Sequence, residues 1–155
     1  MDDDRLIELS GRIADLERGL ERLQTIEIGS GTWASYTPVW TASTTNPTLG
    51  DGTLTGRHTQ IGKLATVVIN LTIGSTTNIG SGIYAFSLPI TKSGSVHIGL
   101  WWLNKPGVGN YVGNAYTATS TTVSMVSDLG YVSSTAPVAP ASSTAYRLTI
   151  TYETV

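Results

Sequence analysis

The sequence contains no cysteine, which excludes disulfides, thiol nucleophiles and cysteine-based metal sites. It has two histidines, His58 and His97. Neither lies in an HxH, HExxH or HxxE pattern, so both are read as structural residues and no metal site is expected. No apolar run approaches the roughly 18 residues of a membrane span. The opening stretch MDDDRLIEL is acidic where a secretory leader is basic and then apolar, so no leader and no membrane insertion are expected. Charge is scarce along most of the chain. Residues 28–155 carry three acids, Asp51, Asp128 and Glu153, and five bases. The bases form no stripe, and a net charge of -2 gives no general attraction to nucleic acid.

These shortages also bear on catalysis. Glycoside hydrolysis needs two converging carboxylates, and Asp51 is already explained by an Asp-Gly turn in LGDGT. No GxSxG nucleophile elbow is present. GNYVGNAY is glycine-rich but opens no helix, so it cradles no phosphate. The chain is read as non-enzymatic and without cofactor, with a polysaccharide-degrading enzyme as the least favoured alternative.

Charge is instead concentrated at the start. Residues 1–27 hold 12 of the 20 charged side chains. Within them Leu6, Leu9, Ile13, Leu16, Leu20 and Leu23 are spaced three and four apart. That spacing places Leu6, Ile13 and Leu20 at a and Leu9, Leu16 and Leu23 at d of a heptad seam, with Glu27 ending it. The aspartates at positions 2–4 suit a helix N-terminus, where the macrodipole favours negative charge. Gly11 and Gly19 fall at f and g, off the seam. A stripe this narrow suits a coiled coil better than a helix lying on its own domain. A seam of three heptads is a rod of roughly 27 Å and is marginal without partner strands. In RIADLE, Arg12 at g, Ile13 at a, Leu16 at d and Glu17 at e match the R-h-x-x-h-E pattern of parallel three-stranded coils. A g-to-e′ ion pair between chains, with the arginine stem covering the seam, is the physical basis of that pattern.

From Gly29 onward the period changes to two, and serine and threonine number 38 in residues 28–155. LATVVINLTI places Val67, Ile69, Leu71 and Ile73 on one face, and AYRLTITYE places Tyr146, Leu148, Ile150 and Tyr152 on one face. A tight hairpin is predicted at Gly62-Lys63. Further strands are predicted at about 33–41, 82–88, 95–103, 109–118 and 120–127. Residues 133–143, SSTAPVAPASS, read as an exposed loop stiffened by proline. The expected fold is therefore mainly β: a jelly-roll-like β-sandwich head over 29–155, preceded by a short N-terminal α-helical coiled coil over 1–28.

Aromatic residues offer the strongest hint of a surface. In SVHIGLWWLNK, Val96, Ile98, Leu100 and Trp102 share one face, while His97, Gly99, Trp101 and Leu103 share the other. Adjacent tryptophans in a strand point to opposite sides, and Trp101 is expected to be the one directed away from the core. It then fills a subunit interface, packs under a loop, or stacks a ligand with Tyr111, Tyr116 or Tyr131 nearby. His97, Trp101, Tyr111 and Tyr116 are the candidate interface or ligand residues.

One long stretch resembles a known family. The aromatic-Thr-Pro opening YTPVWT, the turn NPTLGDGTLTGR, the hairpin IGKLATV and the strand GIYAFSLP are similar to a β module of small tail-fibre and minor tail proteins of tailed bacteriophages. The resemblance covers about residues 33–89 and is looser from Lys92 on. The family often has an aromatic where this chain has His58. The resemblance implies a virion component on the particle exterior, a homotrimer with a helical stem and a β head, and it carries over no catalytic residues. The expected job is a tail fibre or spike that meets a host cell-surface glycan or protein through loops 104–115 and 128–143. The alternative is a capsid decoration protein or head fibre held to the shell by residues 1–28. In either case the partners are copies of itself and other virion proteins of tail or capsid.

Overall fold

A computed structural model describes residues 3–28 and 31–155. The chain divides into two compact units, one ending at Thr32 and the other beginning at Trp33. The boundary expected at 28/29 falls on residues outside the described ones.

The first unit holds a single helix, α1, Asp3–Ile28. Its 26 residues span about 39 Å at 1.5 Å rise per residue. Asp3 and Asp4 lie in its first turn, where unpaired backbone N–H groups favour negative charge. Among the described residues no helix is long and apolar enough to cross a membrane.

The second unit is mainly β, of a β-sandwich-like class. Its strands are β1 Ala34–Tyr36, β2 Trp40–Ala42, β3 Thr53–Ile61, β4 Leu64–Thr72, β5 Tyr84–Ser87, β6 Ile98–Lys105, β7 Gly109–Thr117, β8 Thr122–Ser127, β9 Gly130–Tyr131 and β10 Ala145–Glu153. They form one curled sheet in the order β1-β3-β4-β10-β6-β7-β8-β5-β2, with β9 on β8, and every pairing is antiparallel. The hairpin at Gly62-Lys63 forms as predicted, with Ile61 opposite Leu64 and Gly62 at φ 57°.

The two edges of this sheet are consecutive in sequence. Three residues, 37–39, carry the chain from β1 on one edge to β2 on the other, so the edges lie within about 14 Å of each other. The predicted strand 33–41 is accordingly broken at Pro38, which has no N–H to give a ladder. Tyr36 Oη donates to Ser87 O at 3.3 Å, Ser87 N donates to Val39 O at 3.0 Å, and Val39 N donates to Ser87 Oγ at 2.8 Å. The Tyr36 bond ties the β1 edge to β5, and the two Val39–Ser87 bonds extend the β2–β5 ladder beside it. Gly56 makes room for them, because a Cβ there would strike the Tyr36 ring and come within 2.8 Å of Pro38 Cγ.

Alternation delivers one face of each strand to the interior. Ala65, Val67, Ile69 and Leu71 of β4 and Tyr146, Leu148, Ile150 and Tyr152 of β10 are all buried, as the period-two pattern predicts. Trp40 packs edge-on to Tyr84 at 5.1 Å between centroids. Tyr84 Oη and Tyr152 Oη donate to Ile79 O and Ile90 O, each at 2.9 Å, so both phenols are satisfied although buried. Burial pushes the Tyr152 hydroxyl up to about 12 against the opposing pull of its Ile90 bond.

The structure corrects three expectations. Trp101 is buried, 2% exposed, and its Nε1 donates to Val126 O at 2.9 Å. The inward face of β6 is the one bearing Trp101 and Leu103, while Ile98 and Leu100 are 69% and 65% exposed. Residues 104–115 are not a loop: β6 and β7 run through them and only 106–108 turn. The segment 133–143 is not simply exposed either, since Pro140 is buried and Val138 packs against the core. Replacing Ile150, 1% exposed at the middle of β10, by alanine is expected to cost about 2–5 kcal/mol. Chemical denaturation with an unchanged slope checks it.

Candidate functional site

Among the described residues, two surfaces gather several exposed apolar side chains. The first is the seam of α1. Leu6, Leu9, Ile13, Leu16 and Leu20 are exposed, from 50% for Leu6 to 67% for Leu16. Leu23 lies within the helix, with its side chain outside the described ones. Arg18 pairs with Asp15 at 2.7 Å, off the seam. Among the described residues Arg12 and Glu17, the g and e positions, have no partner.

The second surface is the outer face of the sheet. Strand register aligns its side chains in rows. Thr55, Asn70, Arg147, Trp102 and Val112 stand opposite one another across β3, β4, β10, β6 and β7. The next row is Arg57, Val68, Thr149, Leu100 and Asn114. Five strands at about 4.8 Å spacing make the face roughly 19 Å wide. The longer side chains stand around shorter ones and leave an open groove of about 1030 Å³.

The groove has an unusual charge distribution for this body. Two of the five body cations, Arg57 and Arg147, line it, and no carboxylate does. The Arg57 guanidinium lies 4.6 Å from the centroid of the Trp33 ring, and that of Arg147 lies 5.7 Å from Trp102. Aromatic faces orient such cations without neutralising them. Among the described residues neither guanidinium has an ion pair or hydrogen bond. Lys105 and Lys92, by contrast, are tied to backbone carbonyls of Ala139, and of Gly94 and Ser95.

The candidate residues therefore separate. Trp101 is buried in the core yet also lines the groove beside Gly113, and Tyr111 packs against the core half-buried. Tyr116 lies opposite Ile98, its ring 6.1 Å from that of Tyr131, at the outer side of β7. His97 is half-buried; its Nε2 accepts from Glu153 N at 3.2 Å, and its ring lies 6.4 Å from Tyr152. The groove residues Arg57, Asn70, Leu100, Trp102, Val112 and Arg147 were not singled out by sequence. The available signal was the apolar set Ile98, Leu100 and Trp102, which alternation alone assigns to a core.

Asp51 is a structural clasp. Its carboxylate accepts from Thr76 N at 2.7 Å, Thr76 Oγ1 at 2.8 Å and Ser75 Oγ at 2.7 Å. The Thr76 backbone N–H, reinforced by the two hydroxyls, holds its carboxyl well below the usual carboxylate range. Among the described residues no group of three or more His, Cys, Asp or Glu side chains is placed to hold a metal ion. No protein-family model, curated protein or solved structure matches this chain.

A group with a depressed folded pKa contributes stability that is present above its unfolded value, about 3.9 for aspartate, and fades as pH falls through the folded one. Asp51→Ala is accordingly expected to lower Tm by a few degrees at pH 7. That gap should narrow steadily below about pH 4, as thermal melts across pH 2–7 can show.

Proposed function

We propose that the protein is a structural component on the exterior of a tailed-bacteriophage particle: a homotrimeric fibre or spike with a helical stem and a jelly-roll-like β head, acting in adhesion to the host surface. The observation that carries this is the uncovered seam of α1. Five aliphatic side chains at a and d positions stand at least half in water, on a helix too narrowly apolar to dock on a globular core. Joining copies removes that area from water at about 25 cal/mol per Å².

The choice of three strands rests on Arg12 and Glu17, which flank Ile13 and Leu16 and lack partners among the described residues. The assignment to a phage particle rests on the likeness of residues 33–89 to tail-fibre modules. A curled, hydroxyl-rich sheet with few charges suits a head held out in the surrounding medium. Three heads on one stem convert weak contacts to avid ones, because the second and third binding events become intramolecular.

Sedimentation equilibrium of the full chain is expected to give three times its 16.4 kDa mass. Ile13→Asp with Leu16→Asp should reduce that to one chain while the β circular-dichroism signal and the melting of the head persist. A wild-type chain that sediments singly at micromolar concentration overturns the stem.

A further inference from the structure

The outer groove of the sheet combines apolar walls with two guanidiniums and no carboxylate. It is open and crosses five strands, a shape suited to an extended chain rather than a compact ligand. Its apolar wall is Leu100 and Val112, 65% and 68% exposed, beside the half-buried Trp102. Its polar side chains are the amides of Asn70 and Asn114, the hydroxyls of Thr55 and Thr149, and two unpaired guanidiniums. This is the mixture of apolar walls and a few placed polar groups that binding sites use. Amide side chains both donate to and accept from hydroxyls, and guanidinium forks take carboxylates in bidentate fashion.

A second copy of this face is a poor occupant. A two-fold contact would bring four guanidiniums together in one interface. Carboxylates to offset them are few in the sheet unit: Asp51 is held in its own clasp, Glu153 lies six residues along β10 from Arg147, about 20 Å away, and Asp128 follows the end of β8 and does not line the groove. Burying unpaired charge costs more than the apolar contact returns.

We infer that this groove binds an acidic polysaccharide carrying carboxylates on alternate sugars, with Arg57 and Arg147 on two of those carboxylates and the Trp102, Leu100 and Val112 surface against a sugar face. The two arginines sit two strands and two residues apart in register, about 12 Å between Cα atoms, so they meet anions on separate sugars. The inference rests on the adhesive role proposed above and gives it a chemistry.

Calorimetry on the full chain with a hyaluronan octasaccharide tests it, alongside a neutral chitin hexasaccharide and a short polyphosphate. Hyaluronan should bind, with affinity falling as salt rises, and the other two should not. Arg57→Gln and Arg147→Gln should each weaken binding about tenfold, and Lys63→Gln, at the hairpin tip, should leave it unchanged. Absence of hyaluronan binding, equal binding of chitin or polyphosphate, or equal loss in the Lys63 variant overturns the inference. So does dissociation of the oligomer by Leu100→Asp, which would assign the face to another copy. Sedimentation of the same samples separates the two proposals. Single chains that still bind hyaluronan refute the stem alone, and trimers that do not bind refute the groove alone.

Discussion

The last strand of the chain holds the sheet together. β10 pairs with β4 along all nine of its residues and with β6 along five. Among the described strands it is the one that joins the β1-β3-β4 side to the strands from β6 to β2. Over Ala145–Thr149 its backbone N–H and C=O groups have strand partners on both edges, as an interior strand requires. Its inward side chains, Tyr146, Leu148, Ile150 and Tyr152, occupy the middle of the core. The opposite closure, at residues 37–39, only has to hold two short edges near each other. β10 meets partners some eighty residues earlier, such as Ile69 opposite Leu148, so its docking closes one of the longest loops in the sheet.

That arrangement dictates what the outside means. With one face of every long strand taken up by the core, an apolar side chain on the other face has no internal reason to be there. Thr149, Thr151 and Arg147 follow the usual polar rule on β10, whereas Ile98 and Leu100 on the neighbouring β6 do not. The helix presents the same anomaly in another geometry, five aliphatic side chains in water on a charged rod. Charge is partitioned between the two. Acids dominate the helix, and the body's unpaired arginines face its groove.

Alternation made much of the body legible. The faces of β4 and β10, the turn at Gly62-Lys63 and the single helix all follow from local pattern. β6 did not, because both of its faces are rich in apolar residues. Counting favoured Ile98, Leu100 and Trp102 for the interior. The deciding facts lie elsewhere: Gly113 leaves space for the Trp101 indole, the Val126 carbonyl accepts its proton, and Gly99 lets β6 approach the backbone at Thr149 and Ile150. The turn signals around Pro106 and Gly107 were real but needed only three residues, so a hairpin was taken for a loop.

The sequence by itself determined the helix, its seam, the β character of the body and the poverty of carboxylates, since each is a matter of residue type and spacing along the chain. The tertiary structure alone decided where the groove lies. Arg57 and Arg147 are ninety residues apart in sequence. They share a surface because β4 sits between their strands in one register. Register is a property of pairing, set by which faces can pack together, and no local pattern encodes it.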